Sequence, residues 1–292
     1  MSRIAAAPIS WGVCEVPGWG LQLSPERVLT EMRQLGFTHT ELGSAGWLPQ
    51  STPELQTVLR RHELSLLAAF IPLVMHDAEQ AETTLSKAAA AAKLLSDSGG
   101  THFNTAPITS VDWQPRHELS SQEWQHLCTM VEEVERICDD HGLTQVIHEH
   151  VGCVIETADE VRTLLDSTPS ALVVDTGHLA VGGFSPIDLV KQFPERVGLV
   201  HLKDTNIDVA ERLNRQELTL MEAVKAGLFT TLGQGDLDLA EFITALEASG
   251  YRGRYVIEQD CAITGDPPDP GEGPATAVAA SLGFLNGLAA TL

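Results

Sequence analysis

Ala171-Leu172-Val173-Val174-Asp175-Thr176-Gly177-His178 is a short aliphatic run that stops at a carboxylate and passes directly into a turn. Such a run reads as a parallel strand buried on both faces, because helices cover both sides of a sheet of this kind. The same figure recurs along the chain. Strands are predicted near 3–10, 37–42, 64–70, 100–105, 143–150, 171–175, 197–203 and 253–258, with helical stretches between them. Ser24-Pro25 and Thr52-Pro53 set a cap residue before a proline at the first helical position, where the missing N–H costs nothing, and Gly36 closes the first of these helices. Ser120-x-x-Glu123 and Thr157-x-x-Glu160 have the form of capping boxes, and Ala78 to Leu95 is an Ala-rich helix. Gly233-Gln234-Gly235 makes a turn before a helix at 238–249, and Pro267-Pro268-Asp269-Pro270-Gly271 precedes a last helical run. An open doubly wound sheet is the rival architecture, but no G-x-G-x-x-G follows the first strand. Eight units point to a closed (β/α)8 TIM barrel, and 292 residues suit one catalytic domain over 1–292, a barrel of about 250 residues plus loops.

The opening apolar run is too short for a signal peptide, and nothing approaches the roughly 18 apolar residues of a membrane span. A soluble, cytoplasmic protein is expected. Cysteines 14, 128, 138, 153 and 261 form no C-x-x-C pair, so they read as buried small hydrophobes rather than a disulfide framework or zinc ribbon. The formal charge of −22, from 40 acidic against 18 basic residues, repels nucleic acid and anionic membranes alike. With no cluster of Arg or Lys to clamp a phosphate, it favours an uncharged small molecule as substrate. The oligomeric state is left open, a homo-oligomer included.

In a barrel the chemistry gathers where the strands stop. Strand two ends in Thr40-Glu41-Leu42-Gly43 and strand four in Asn104; strand five ends in His148-Glu149-His150 and strand six in Asp175-Thr176-Gly177-His178. Strands seven and eight end in His201-Leu202-Lys203-Asp204 and Glu258-Gln259-Asp260. Side chains alternate along a strand, so His148 and His150 share a face, as do His201 and Lys203. An inward ring of Asp175, His201 and Glu258 offers oxygen and imidazole ligands without thiolate, a set suited to Mn²⁺, Mg²⁺, Co²⁺ or Zn²⁺, with His148 and Glu156 as candidates for the fourth. Any one such residue is more often a cap or a satisfied hydrogen-bond partner, but four consecutive strands ending this way form a costly group unless they pair or bind a cation. Glu41 and Asn104 serve either the scaffold or the substrate. Trp11 and Trp19 pack over the mouth, with Trp11 a candidate substrate contact.

These residues carry a resemblance. Val173-Val174-Asp175-Thr176-Gly177-His178, Val200-His201-Leu202-Lys203-Asp204, Gly227-Leu228-Phe229 with Leu232-Gly233-Gln234-Gly235, and Gly250-Tyr251-Arg252-Gly253 with Val256-Ile257-Glu258-Gln259-Asp260 resemble the inosose dehydratase group of the xylose-isomerase-like sugar isomerase/epimerase superfamily. Ala7-Pro8-Ile9-Ser10-Trp11-Gly12 and Leu48-Pro49 extend the likeness over nearly the whole chain. The superfamily holds a divalent metal with an acid from strand five, Asp from strand six, His from strand seven and Glu from strand eight. Asp175, His201 and Glu258 match the last three, while His148 stands where many members carry Glu. The resemblance implies dehydration of 2-keto-myo-inositol (scyllo-inosose) in inositol breakdown, with Mn²⁺ or Co²⁺ as metal and His150, His178 and Lys203 as the pool for proton transfer and oxyanion contact. Glu149 and Cys153 depart from the group's pattern and leave room for another substrate.

Three other readings compete. A ketose epimerase or isomerase, or a deglycosidase acting on a keto sugar, would start from the same enolisation next to a carbonyl. A catalytically silent binding subunit would have no need of Asp175, His201 and Glu258 together.

Overall fold

The computed structural model describes residues 3–290. Eight parallel strands form the barrel: Ile4–Ala6, His39–Thr40, Ser65–Leu66 continued by Ala68–Leu73, His102–Pro107, Thr144–His148, Ala171–Asp175, Val197–Leu202 and Tyr255–Ile257. Closure runs through Leu67, whose N–H donates to the Thr40 carbonyl (2.9 Å) while its own carbonyl accepts from His102 N (3.1 Å). The third strand is thereby bonded on both sides.

Alternation sorts the side chains. Ala5, Ala7, Val146, Val173, Leu199 and Val256 pack together as a cluster built of every second residue, and this cluster fills the barrel interior. Their neighbours Ile147, Leu172, Val174, Val200 and Ile257 point outward into a larger core with the helices, among them Val28, Leu29, Leu127, Val131, Leu164 and Phe242. Two further positions along the inward face bring the chain to its polar strand ends, so the register that buries the core also assembles the mouth.

Helix starts follow the side-chain chemistry. Ser24 caps Pro25–Gln34 by accepting from Arg27 N, and Gly36 follows this helix with φ 89°. Both capping boxes are formed, at Ser120/Glu123 ahead of Ser121–Asp140 and at Thr157/Glu160 ahead of Ala158–Ser167. Other boundaries move. Ser51 rather than Thr52 is the cap of Thr52–Arg61, which puts Pro53 one position deeper in the first turn. The expected helix from Ala78 starts as a 3-10 turn, Ala78–Gln80, before Ala81–Asp97. The first strand stops well short of residue 10: Pro8 has no N–H to give a neighbouring strand, and Pro8–Trp11 is a 3-10 turn closed by Gly12 at φ 83°.

An antiparallel pair, Asp204–Thr205 with Phe229–Thr230, was not expected from the sequence and stands beyond the seventh strand. It explains Gly233-Gln234-Gly235. The buried Asp204 carboxylate accepts from the N–H groups of Thr205 (2.9 Å), Gly233 (2.8 Å), Gly235 (3.0 Å) and Leu237 (3.2 Å), and a Cβ on Gly235 would sit 2.3 Å from Asp204 Oδ1. No described helix is long and apolar enough to cross a membrane.

Candidate metal centre at the barrel mouth

Asp175 ends the sixth strand and caps the helix Thr176–Val181 that follows: its Oδ1 accepts from Gly177 N and His178 N, both at 2.9 Å. That fixes the carboxylate and leaves Oδ2 directed at the barrel axis, 3.7 Å from His148 Nε2, 3.9 Å from His201 Nδ1 and 3.4 Å from Lys203 Nζ, with no hydrogen bond. His201 joins both sides of the mouth. Its Nε2 lies 3.0 Å from Glu41 Oε1 and its Nδ1 lies 3.0 Å from Glu258 Oε2, the latter without the alignment of a hydrogen bond. His148, Asp175 and His201 can share one ion; so can Glu41, His201 and Glu258, and Asp175, His178 and Glu258.

The donor chemistry fits a divalent metal. Both ring nitrogens of His148, Asp175 Oδ2 and His201 Nδ1 are buried without hydrogen-bond partners, and an unsatisfied buried polar atom costs about 1–3 kcal/mol. Burial lowers the His148 imidazole to about 4, with Asp175 pulling the other way, so the ring is neutral and can offer a lone pair. Carboxylates and imidazoles without thiolate suit Mn²⁺, Co²⁺, Mg²⁺ or Zn²⁺.

Lys203 stands beside this set and is fully buried. Its ammonium donates to Asp260 Oδ1 (2.8 Å), Glu258 Oε1 (3.0 Å) and His178 Nε2 (2.9 Å), and lies 4.6 Å from the centre of the Phe229 ring. Burial works against its charge, but Asp175, Asp260 and Glu258 outweigh that and raise its pKa, so Lys203 is a cation. Burial likewise works to protonate Glu258 and Asp175, and the positive charges of His201 and Lys203 around Glu258, and of Lys203 beside Asp175, keep both ionised. The ion pair of Lys203 is with these acids and not with Asp204 or Glu149. Asp204 is engaged by four backbone amides, and Glu149 Oε1 accepts from Asp175 N at 3.0 Å. Burial raises the Glu149 carboxyl well above the usual range, and the nearby Asp175 charge adds to this.

The His150 and His178 rings are in contact, their centroids 3.7 Å apart and their planes tilted by 40°. Burial first, then its histidine neighbours and Lys203, holds His178 well below the ordinary histidine range. His150 has its Nδ1 2.7 Å from the Val151 carbonyl, an acceptor only, so Nδ1 carries the proton and Nε2 keeps a lone pair. His150, Glu41, Glu258 and Asp260 form the polar wall of the mouth cavity, and Trp19, Phe70 and Trp113 form much of the apolar one.

Two expected site residues lie elsewhere. Trp11 is fully buried, donates from Nε1 to Glu31 Oε2 (2.8 Å) on the first helix and does not line the mouth cavity, because the turn at Pro8–Trp11 sends it back into the core. Glu156 accepts from Gly152 N (2.6 Å), lies 3.6 Å from Arg116 Nε and belongs to none of the ligand groups, whereas His148 stands beside Asp175 and Glu41 on the far side of His201. Asn104 points into the barrel in register with Phe70 and Val146, with neither amide atom hydrogen-bonded. It is outside the lining of the mouth cavity.

Other residues at the mouth carry no strand-end signal or were given no role. Asp260 follows Glu258 by two and so shares its face, the same spacing that links Lys203 to His201. Glu15 comes from the loop after the first strand, and burial raises its carboxyl to about 7. Cys14 and Cys153 are buried thiols with raised pKa, consistent with inert side chains.

Residues 29–287 match the family described as xylose isomerase-like TIM barrel. The chain is 33% identical over 275 residues to an inosose dehydratase of Geobacillus kaustophilus, covering 89% of each protein. It is 29% identical to one from Bacillus thuringiensis, covering 89% of this chain and 91% of that one. In fold it is similar to L-ribulose 3-epimerase, with TM-score 0.73 at 16% identity over 100% of this chain and 95% of that one. It is also similar to the IOLI protein solved with a zinc atom, with TM-score 0.71 at 15% identity over 98% and 97%. With a barrel of this topology and a sequence this close to those relatives, the chain belongs to the xylose isomerase-like TIM-barrel family and, within it, to the inosose dehydratases.

Proposed function

We propose that this protein dehydrates 2-keto-myo-inositol, a lyase reaction of inositol catabolism, with one divalent metal, Mn²⁺ or Co²⁺, held by Asp175, His201, Glu258 and His148. The observation that carries the reading is the juxtaposition of that ligand set with a buried Lys203–His178–His150 array in a mouth walled by Phe70, Trp19 and Trp113 on one side and carboxylates on the other. Glu41 is a further group that can reach the ion through the His201 side.

When bound, the metal supplies Lewis-acid stabilisation of negative charge on the ketone oxygen. The remaining work belongs to the side chains. Removing water from a ketone takes a proton from the carbon next to the carbonyl and hydroxide from the carbon beyond it. His150 is suited to take the proton, since its Nε2 lone pair is free in the cavity while Nδ1–H is anchored to Val151. The leaving hydroxyl needs a proton in turn, and Glu15, a carboxyl on the cavity wall raised by burial to about 7, can give it. Lys203 positions this machinery: it holds Asp260 and Glu258 and, by donating to His178 Nε2, fixes the ring that packs against His150. Phe70, Trp19 and Trp113 exclude water around the substrate ring.

Turnover of scyllo-inosose beside a panel of free ketoses, each with Mn²⁺ or Co²⁺ supplied, tests the reading. The expected result is selective consumption of scyllo-inosose; turnover of a ketose in preference to it would favour the epimerase or isomerase alternative.

A further inference from the structure

A second cluster of ligand-type side chains lies outside the mouth, between the segment that follows the third strand and the start of the helix Ser121–Asp140. His76, His117 and Glu123 each present a donor atom, all within 4.8 Å of one another. His117 Nε2 is 3.1 Å from Glu123 Oε1, and the His76 and His117 rings are 5.3 Å apart, edge to face. We propose that His76, His117 and Glu123, with His126 as a fourth group, form a second divalent-metal site of the zinc type, separate from the metal centre at the mouth.

Three independent features support it. His76 is 6% exposed and its Nδ1 has no hydrogen-bond partner, and the Nε2 of His126 is likewise buried and unpaired. A polar atom left so usually has a partner such as water or an ion. His76 and His126 line one cavity together with Glu123 and Asp77. The helix supplies the register, because Glu123 and His126 are three apart and so share a face of its first two turns.

The cluster is also electronically prepared. Glu123 spends Oε2 on the N–H of Ser120 in the capping box, which leaves Oε1 toward His117. Hydrogen bonds from Ser120 and His117 pull this carboxyl down to about 2, so it is an anion. Burial lowers His76, so its ring is neutral, the form that binds metal. Imidazoles with one carboxylate are a zinc-type donor set, and zinc accepts four such ligands tetrahedrally.

Such an ion would join three pieces of chain. His76 follows the third strand, Glu123 and His126 open a helix, and His117 lies four residues after Trp113, which lines the mouth cavity. The site would therefore pin the free end of a loop that walls the substrate.

Zn²⁺ titration of the metal-stripped, full-length protein, followed by equilibrium dialysis and metal analysis, tests this. The wild type is expected to bind two equivalents and Glu258→Gln to retain one. His117→Ala, at a half-exposed position that folding tolerates, is expected to weaken the second equivalent by more than about tenfold, since even partners one shell out cost 10–100-fold in metal affinity. His76→Gln provides an independent second variant. Wild type saturating at one equivalent, or a second equivalent of unchanged affinity in both His117→Ala and His76→Gln, would overturn the proposal.

Discussion

The Lys203 side chain passes directly over Gly177: a Cβ on that glycine would sit 2.7 Å from Lys203 Cγ and 2.8 Å from Cδ. The Asp-Thr-Gly-His sequence therefore does two jobs. Asp175 turns the chain into a helix, and the absent side chain two residues later gives the lysine a path to the buried carboxylates of Asp175, Glu258 and Asp260. Gly177→Ala is expected to displace Lys203, costing about 1–3 kcal/mol as overpacking does, with a larger loss of turnover than of melting temperature. Thermal melts run beside kinetics check this; normal turnover in a stable Gly177→Ala protein would mean that the lysine can be shifted without harm.

Removing the cation itself has a different signature. Lys203→Met leaves Asp175, Glu258 and Asp260 buried together, and breaking a buried ion pair costs about 3–5 kcal/mol. A divalent ion compensates the same carboxylates. The metal-free variant should therefore melt well below wild type and recover in part on adding Mn²⁺, and the metal-loaded variant should hold its metal and turn over about 100-fold more slowly. Calorimetry with and without Mn²⁺ is the check, and a melting temperature insensitive to the metal would contradict the charge arrangement.

Glu15→Gln and His150→Gln are expected to keep the metal while lowering kcat by about 100-fold or more, the typical contribution of a positioned acid or base. Metal analysis and steady-state kinetics on each variant separate this from a structural effect. Loss of metal in either would move the residue into the ligand shell, and unchanged kcat would remove it from proton transfer.

Substrate charge is set by the walls of the mouth. The charged groups lining the cavity are the acids Glu15, Glu41, Glu258 and Asp260, with no Arg or Lys among the lining residues. Free ketoses should therefore be used in preference to their phosphate esters under one metal condition. A strong preference for the phosphorylated form would require a phosphate site outside this cavity.

Trp11 provides a contrast with the cavity residues. Trp11→Phe removes its bond to Glu31, which also holds Arg27 and accepts from Gly271 N. Leaving that buried carboxylate one donor short is expected to cost about 1–3 kcal/mol in denaturant melts while KM stays at the wild-type value. A raised KM with unchanged stability would return Trp11 to the substrate.

The parts that were legible in the sequence are those with a period. The strand at 171–175 follows from its unbroken aliphatic run and the inward face shared by His201 and Lys203 from alternation, and the latter rule applied to Glu258 also finds Asp260. The parts that were not legible depend on contacts between distant segments. Trp11 looks like a mouth residue because it follows a strand, yet Pro8 ends that strand early and Gly12 turns the ring inward. Glu156 looks like a spare carboxylate until Arg116 and the Gly152 amide are seen beside it. Glu15 and Trp113 sit on loops, where no periodicity tells which way a side chain points.

Bound metal and loss of water from the substrate go together at this mouth, and product mass reads that link directly. Wild type loaded with Mn²⁺, wild type stripped of metal and the Glu258→Gln variant should be given scyllo-inosose, with metal content and product mass measured on the same samples. The loaded enzyme is expected to yield a product lighter than the substrate by one water, with activity lost in step with metal in the other two. A product of unchanged mass, as an epimer or isomer would have, or full turnover in the metal-free protein, would contradict it.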